Sequence, residues 1–102
     1  MHARVVTVQI QPGKIDEATR IYRDSVVPAA KQQQGFRGAL LLTMPESSKG
    51  ISVTLWETEA NLKATETSGF FNEQIAKFGA VFAVPPTREL AEVAVQELAV
   101  RV

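Results

Sequence analysis

Apolar and polar residues alternate in four short segments of the chain, which is the pattern of half-buried β-strands. In the first segment, RVVTVQIQ, residues Val6, Val8 and Ile10 fall on one side of an extended chain. Pro12 and Gly13 end it, and the turn-forming sequence PESSKG joins the second segment to the third as a hairpin. The predicted strands are residues 4–11, 36–44, 51–57 and 88–98.

The segment between the first two strands has apolar residues at helical spacing. Ile15, Ala18, Tyr22, Val26 and Ala29 form the stripe, and Gly35 is a natural stop after the last turn. Pro28 cannot donate a hydrogen bond to the carbonyl of Asp24, so the helix should kink or loosen near its end.

The segment after the third strand predicts a helix in two pieces. The first piece spans about residues 59–66, and Ser68 can cap the second. An aromatic and aliphatic stripe follows at helical spacing, formed by Phe71, Ile75, Phe78 and Phe82.

The order β-α-β-β-α-β predicts an α+β, ferredoxin-like fold. This fold is a four-stranded antiparallel sheet with both helices on one face, because right-handed crossovers place the two helices on the same side. A chain of 102 residues suffices for one core, so we expect a single domain over residues 1–102.

The two faces of this predicted sheet differ in character. The strand alternation assigns an apolar face to the helices, made of Val6, Val8, Ile10, Phe36, Leu40, Leu42, Ile51, Val53, Leu55, Ala91, Val93 and Val95. The opposite face is mixed, with Val5, Thr7, Gln9, Arg37, Ala39, Leu41, Thr43, Ser52, Thr54, Trp56, Arg88, Leu90 and Glu92. Exposing a tryptophan forgoes about 4–6 kcal/mol of burial free energy. We therefore expect a second copy, a ligand or another partner to cover the face that carries Trp56.

Composition narrows the classes of function. The chain has 11 basic and 11 acidic residues, so no strong field favours nucleic acid or an anionic membrane. It has no cysteine and no apolar run of the roughly 20 residues that a membrane-spanning helix needs. The single histidine is His2, and no glycine loop of a phosphate-binding motif is present. We expect a cytoplasmic protein without a metal or a cofactor.

Several residues of the mixed face are candidates for a site. Arg37, Arg88 and Glu92 point into the covered face, where buried charges should be paired. The alternatives are an ion pair of Glu92 with one of the arginines, or an arginine that meets an anionic substrate group. Trp56 is either a packing anchor or a ring that stacks on an aromatic ligand.

Five stretches of the sequence resemble the antibiotic biosynthesis monooxygenase (ABM) domain family, within the dimeric α/β barrel superfamily. They are PGKIDEA, VVP, QGFRGALLLT, SVTLWE and the closing PP-x-x-E-L-x-E-V. The resemblance covers nearly the whole chain. It implies a homodimer whose two sheets close into a barrel-like core, with a pocket between sheet and helices in each subunit. On this interpretation the pocket and the dimer cover Trp56.

The resemblance also implies two kinds of chemistry. Some members oxidise polyketide-like phenols to quinones without a cofactor, using a Trp, an Asn and an Arg. Trp56 lies where the family has its Trp, Arg88 is the candidate for the Arg, and Ser52 stands in the strand that offers the Asn. Other members degrade haem with a His in the second helical region and an Asn on the first strand. This chain has no His in that region, and its first strand has Gln9.

The sequence thus predicts a homodimer that binds a small aromatic or polyketide-like molecule. Whether it is an enzyme stays open at this point; if it is, the resemblance implies a cofactor-independent monooxygenase with Trp56 and Arg88 as catalytic residues. The alternatives are a non-catalytic ligand-binding or structural homodimer, and an isomerase or cyclase on the same fold. The predicted substrate-binding residues are Gln9, Tyr22, Arg37, Ser52, Trp56, Phe71 and Phe78.

Overall fold

A four-stranded antiparallel sheet forms the base of the molecule. The structure is a computed structural model and describes residues 1–99. The strands are β1 (His2–Gln9), β2 (Phe36–Met44), β3 (Lys49–Trp56) and β4 (Thr87–Glu92). They lie in the order β2-β3-β1-β4, and every neighbouring pair is antiparallel. This arrangement confirms the predicted α+β, ferredoxin-like fold.

Helical segments follow β1 and β3. The first region contains α1 (Ile15–Ile21), a π-helical turn (Tyr22–Val26) and α2 (Val27–Ala30). The second contains α3 (Glu59–Thr67) and α4 (Phe70–Ala76), which confirms a helix in two pieces. A short 3₁₀ turn (Pro45–Ser47) joins β2 to β3.

The disturbance predicted at Pro28 takes the form of the π-helical turn. The backbone N–H of Val27 bonds to the carbonyl of Tyr22, five residues earlier, instead of four. The wide turn ends just before Pro28, which lies in the first turn of α2. Proline is tolerated there because the N–H that it lacks has no partner within the helix. The helix therefore loosens and continues.

The strand register decides which side chains face the helices. Arg4 lies opposite Thr54, and Val6 lies opposite Ser52. Directly opposite residues of an antiparallel pair point to the same side. The apolar residues of β1 therefore share their face with Trp56, and the predicted grouping of β1 with Leu40, Leu42, Ile51, Val53 and Leu55 is wrong.

A bulge in β2 contributed to this error. Phe36 pairs with Trp56, but the next paired residue is Gly38, which lies opposite Leu55. Arg37 is thus an extra residue, and Phe36 and Leu40 lie on opposite sides of the sheet although their spacing in sequence is even. The alternation of sides predicted from Phe36 through Leu42 therefore holds only after the bulge.

The core lies between the sheet and the helices. Its buried residues are Val6, Val8, Ile10, Ala18, Tyr22, Val26, Phe78 and Val81. Trp56 belongs to this side and has 0% relative exposure within a single chain. The chain's own helices and core therefore cover Trp56, and a second copy is not needed for its burial.

The opposite side of the sheet carries aliphatic residues that are uncovered in a single chain. We call it the open face and define it by Val5, Leu40, Leu42, Ile51, Val53 and Leu55. Leu40 is 53% exposed and Leu42 is 50% exposed. Thr7, Gln9 and Glu89 lie on the same side, so the open face is not fully apolar. A cluster of exposed aliphatic side chains is nevertheless typical of an interaction site.

The fourth strand is shorter than predicted. It ends at Glu92, whereas the alternating pattern continues to residue 98. Val95 and Leu98 in this extension are 85% and 70% exposed. The backbone N–H of Val93 still bonds to the carbonyl oxygen of Met1. Residues 94–98 thus have the sequence of a strand but no strand partner in the described part of one chain.

The turn before β2 gives a test of the fold. Gly35 has a φ of +83°, and a Cβ there would come within 2.3 Å of Asn61 Oδ1. Asn61 is held by Thr58 at the start of α3, so it cannot move freely. We expect Gly35→Ala to lower the free energy of unfolding by about 2–4 kcal/mol.

Gly13→Ala is the matched control for this variant. Gly13 has a similar φ of +80°, but nothing lies within 4 Å of its added Cβ. Only backbone strain remains, so the expected loss is about 1–2 kcal/mol. Urea unfolding of both variants measures the difference, and equal losses would show that the contact with Asn61 has no energetic role.

Candidate functional site

A cavity of about 70 Å³ lies between the sheet and the helices. Strands β1, β2 and β3 form its floor, while α1, the π-helical turn and α4 form its roof. Its lining is mostly apolar, and Arg4 is its one charged residue in the described chain. The aromatic part of the lining consists of Tyr22, Trp56, Phe70, Phe71, Phe78 and Phe82.

Trp56 is fixed at one end of this cavity. Its Nε1 donates a hydrogen bond to Thr54 Oγ1 at 3.0 Å. The edge of Phe36 packs on it with ring centroids 5.6 Å apart and planes at 75°. Thr54 therefore faces the interior, where it satisfies a buried donor, and it does not lie on the side away from the helices as predicted.

Tyr22 and Ser52 form a polar pair within the same cavity. The Tyr22 hydroxyl lies 2.9 Å from Ser52 Oγ and 3.2 Å from the carbonyl oxygen of Leu40. The tyrosine has one proton, so when it donates to the carbonyl, Ser52 donates to the tyrosine. Burial raises the pKa of Tyr22, while Ser52 and the charge of Arg4 lower it. Tyr22 is therefore a neutral hydrogen-bonding group near neutral pH.

Arg4 is the main site residue that the sequence reasoning missed. It is only 3% exposed, and its Nη1 donates to Thr65 Oγ1 at 2.9 Å. Its Cζ lies 4.2 Å from the ring centroid of Phe71 and 5.8 Å from that of Trp56. A guanidinium at these distances interacts with the faces of aromatic rings. The available signal was that Arg4 has the same strand parity as Val6 and Val8.

Glu66 lies between Arg4 and a second arginine. Glu66 Oε2 is 3.5 Å from Arg4 Nη1, and Glu66 Oε1 accepts a hydrogen bond from Arg88 Nη2 at 2.7 Å. Burial lowers the pKa of Arg4, and the Glu66 carboxylate raises it. Arginine remains charged in either case. Two positive groups therefore share one carboxylate.

Three of the predicted site residues lie outside the cavity lining. Arg88 is turned toward Glu66, with 43% of its side chain exposed. Arg37 pairs with Glu57 at 2.9 Å, and both side chains are about half exposed. Gln9 donates from Nε2 to the carbonyl oxygens of the turn between β2 and β3. Glu92 therefore does not pair with either arginine as expected. Arg37 pairs with Glu57, and Arg88 pairs with Glu66.

The other predicted residues do meet in the cavity. Tyr22, Ser52, Trp56, Phe71 and Phe78 all line it. Gln74 also lines it and was missed; its Oε1 accepts a hydrogen bond from Lys77 Nζ at 2.7 Å. No signal in the sequence separated Gln74 from the exposed polar residues of the same helix.

Within residues 1–99, no group of three or more His, Asp or Glu residues is arranged to hold a metal ion. None of the helices in this range has the length and apolar character needed to cross a membrane.

The model of the family described as antibiotic biosynthesis monooxygenase, ABM, matches residues 1–78. The chain belongs to this family. The match includes β1, both helical regions and the β2-β3 hairpin, and residues 1–78 contain every residue of the cavity lining except Phe82. The resemblance inferred from the sequence motifs is therefore confirmed.

Solved structures share the fold at low sequence identity. A protein of unknown function from Nitrosomonas europaea is 19% identical with a TM-score of 0.77, covering 98% of this chain and 95% of that one. A monooxygenase of Streptomyces coelicolor, solved with nanaomycin D, is 17% identical with a TM-score of 0.72, covering 97% and 92%. A mutant of MhuD with two manganese protoporphyrin IX molecules per active site is 17% identical with a TM-score of 0.77, covering 97% and 100%.

A curated relative is the uncharacterized protein Rv2558 of Mycobacterium tuberculosis. It is 32% identical over 65 residues, which make up 64% of this chain and 28% of that protein. The matched region thus spans little more than a quarter of the relative's length.

The Glu66 cluster gives a test of the site. Glu66→Gln removes the carboxylate that Arg4 and Arg88 share, and Arg4 stays buried without a counter-charge. We expect a loss of about 2 kcal/mol in the free energy of unfolding, less than for a fully enclosed pair because Glu66 is partly exposed. Urea unfolding at neutral pH measures it.

The control is Glu57→Gln, which breaks the surface pair with Arg37. An exposed pair contributes about 0–1 kcal/mol, so this variant should stay close to the unmodified protein. A Glu66→Gln variant as stable as Glu57→Gln would contradict a buried charge cluster at Arg4.

Proposed function

We propose that the protein is a cofactor-independent monooxygenase that oxidises a small phenol to a quinone in the cavity beside Trp56. Membership of the ABM family supports this chemistry. The observation that carries the proposal is the aromatic-lined cavity, which has few polar groups and is only partly open to solvent. Such a pocket suits a flat apolar ring and excludes water from a reactive intermediate.

The reaction balances without an external reductant. A phenol with a free para position reacts with one O₂ to give one para-quinone and one water. The ring supplies all the electrons: one oxygen atom forms the new C–O bond, and after O–O cleavage the other leaves as water with the two hydrogens that the phenol loses. Ionisation to the phenolate raises the electron density of the ring, so a positive field near the cavity favours the reaction.

The proposed roles follow from position. Trp56 contacts the ring of the substrate, and Phe71 and Phe78 form the walls around it. Tyr22 and Ser52 offer hydrogen bonds to a ring oxygen. Arg88 lies outside the lining, so it affects the cavity only through its ion pair with Glu66. Gln9 and Arg37 also lie outside the lining, and their positions give them no role.

The size of the cavity favours a small substrate. Pockets for drug-sized ligands occupy about 300–1,000 Å³, several times the 70 Å³ found here. A molecule with one aromatic ring is the best match to this space, and a fused polyketide-like ring system requires α4 to move outward. Haem is too large for the same space. The one histidine of the chain is His2, at the start of β1 and not in the second helical region.

We also propose that two copies associate through their open faces. Pairing these faces removes Leu40 and Leu42 from water. Self-association by a two-fold axis is the commonest solution for such a surface. This homodimer does not need to cover Trp56, which is already buried.

Oxygen consumption tests the enzymatic proposal. With a series of one-ring phenols and hydroquinones, in the presence of a chelator, we expect O₂ uptake to equal quinone formation without hydrogen peroxide. Trp56→Phe shrinks the wall that orients the ring, so kcat/KM should fall at least tenfold, by about 1.4 kcal/mol or more in transition-state stabilisation. Arg23→Met, on the exposed side of the π-helical turn, is the control and should leave the rate unchanged.

Different outcomes would favour the other functions. Equal rates in Trp56→Phe and Arg23→Met would contradict a role for the cavity in the oxidation. Turnover that persists without oxygen would indicate an isomerase or cyclase. Saturable binding without any turnover would indicate a ligand-binding protein.

Light scattering at low micromolar concentration tests the dimer. We expect twice the 11.1 kDa of one chain. Leu40→Asp places a charge on the open face and should shift the mass toward the monomer. Val84→Asp is the matched control, because Val84 is 54% exposed, like Leu40 at 53%, but lies outside the sheet. A monomeric unmodified protein would contradict the pairing of open faces.

A further inference from the structure

We propose that Arg4 is the anion-binding residue of the cavity and that it selects aromatic molecules whose ring carries an ionised oxygen. This inference rests on the proposed function for the location of the substrate, but it concerns binding and does not require turnover. Arg4 lines the cavity, whereas Arg88 and Arg37 do not.

The position of the guanidinium is fixed before any ligand binds. Its face packs on Phe71 at 4.2 Å, and Nη1 is held by Thr65. Thr65 itself donates to the carbonyl oxygen of Leu62, one turn earlier in α3. A group held from two sides loses little side-chain entropy on binding, which raises its affinity for a ligand.

Arg4 retains unused hydrogen-bond donors. Its bonds to Thr65 and Glu66 both use Nη1, and Nε and Nη2 have no partner in residues 1–99. The one fully enclosed side-chain nitrogen or oxygen without a partner in this range is His2 Nδ1. Nε and Nη2 of Arg4 therefore keep some free surface. Arg4 is 3% exposed and is one of the residues that line the cavity, so its free donors are available to a ligand there.

The charges around Arg4 leave one positive charge without a counter-ion. The groups that face it are Glu66, Arg88 and the neutral Tyr22. Arg4 and Arg88 carry +2, Glu66 carries −1, and the sum is +1. Its contact with Glu66, at 3.5 Å, is longer than the 2.7 Å between Glu66 and Arg88. The carboxylate is thus closer to the outer arginine, and an anion in the cavity would complete the pairing of Arg4.

The aromatic walls restrict what this anion can be. Phe71 and Trp56 border the guanidinium on its aromatic side, and the rest of the lining is nearly all apolar. Inorganic anions would lose their hydration there without a replacement for most of it. A phenolate places one charged oxygen at Arg4 and its ring against the apolar walls.

The probe for this proposal is 4-nitrophenol. Its anion absorbs visible light and its neutral form does not, so absorbance reports the ionisation of the bound molecule. The nitro group withdraws electrons and suppresses oxidation, which separates this readout from catalysis. We expect the unmodified protein to bind the anion about tenfold more tightly than the neutral phenol, so that the pKa of bound 4-nitrophenol falls below that of the free compound.

Variants assign the effect to Arg4. Arg4→Met should reverse the preference, because an apolar cavity without the charge disfavours the anion. Arg4→Lys keeps a charge without the planar donors and should retain a smaller preference. Arg23→Met is the control and should match the unmodified protein. A preference that survives in Arg4→Met, or its absence in the unmodified protein, overturns the proposal.

A second measurement covers the case in which Arg4→Met does not fold. The unmodified protein should bind 4-nitrophenolate at least tenfold more tightly than nitrobenzene, which has the same ring and no ionisable oxygen. Equal affinities, or no binding of either molecule, overturn the proposal. Anion binding without oxygen uptake would support anion binding by Arg4 and contradict the oxygenase activity. Oxygen uptake without a preference for the anion would support the oxygenase activity and contradict anion binding by Arg4.

Discussion

The side of the sheet on which Trp56 lies is the constraint on which the other features of this structure depend. The register between β1 and β3 places Ser52, Thr54 and Trp56 on the same side as the apolar residues of β1. A shift of one residue would carry the whole set to the other face. In the observed register the helices bury Trp56, the cavity forms beside it, and Arg4 becomes an interior charge. The same register leaves a strip of aliphatic residues, including Leu40 and Leu42, on the outside.

This register gives the inner face of the sheet several polar groups among its apolar residues, and it leaves mostly aliphatic groups on the outer face. Two pairs of these interior polar groups satisfy each other: Trp56 bonds to Thr54, and Tyr22 bonds to Ser52. Hydrogen-bonded in this way, they cost little to bury and leave specific donors around an apolar space. The outer aliphatic groups are not covered by any part of the described chain. The cavity and the proposed dimer surface therefore lie on opposite sides of the sheet.

The sequence predicts the elements of this fold better than their orientation. Element order and the disturbance of the helix at Pro28 follow from local patterns, and the structure confirms them. The helical stripe is confirmed only at Phe71 and Ile75, because α4 ends at Ala76 and Phe78 and Phe82 follow it in the chain, although both still line the cavity. The orientation of β2 and β3 does not follow, because both of their sides carry apolar residues and Arg37 forms a bulge. The role of Arg4 depends on Thr65, Glu66 and Phe71, more than 60 residues away, so local periodicity could not reveal it.

The chain's own helices cover Trp56, and the fluorescence of this single tryptophan tests its burial most directly. The protein is diluted until light scattering shows only monomers, and the emission is recorded with a water-soluble quencher. The structure predicts blue-shifted emission that the quencher barely reduces, unchanged between dimer and monomer. Red-shifted, strongly quenched emission in the monomer would mean that a second copy covers Trp56. The assignment of the cavity and of Arg4 to the interior of one chain would then be wrong.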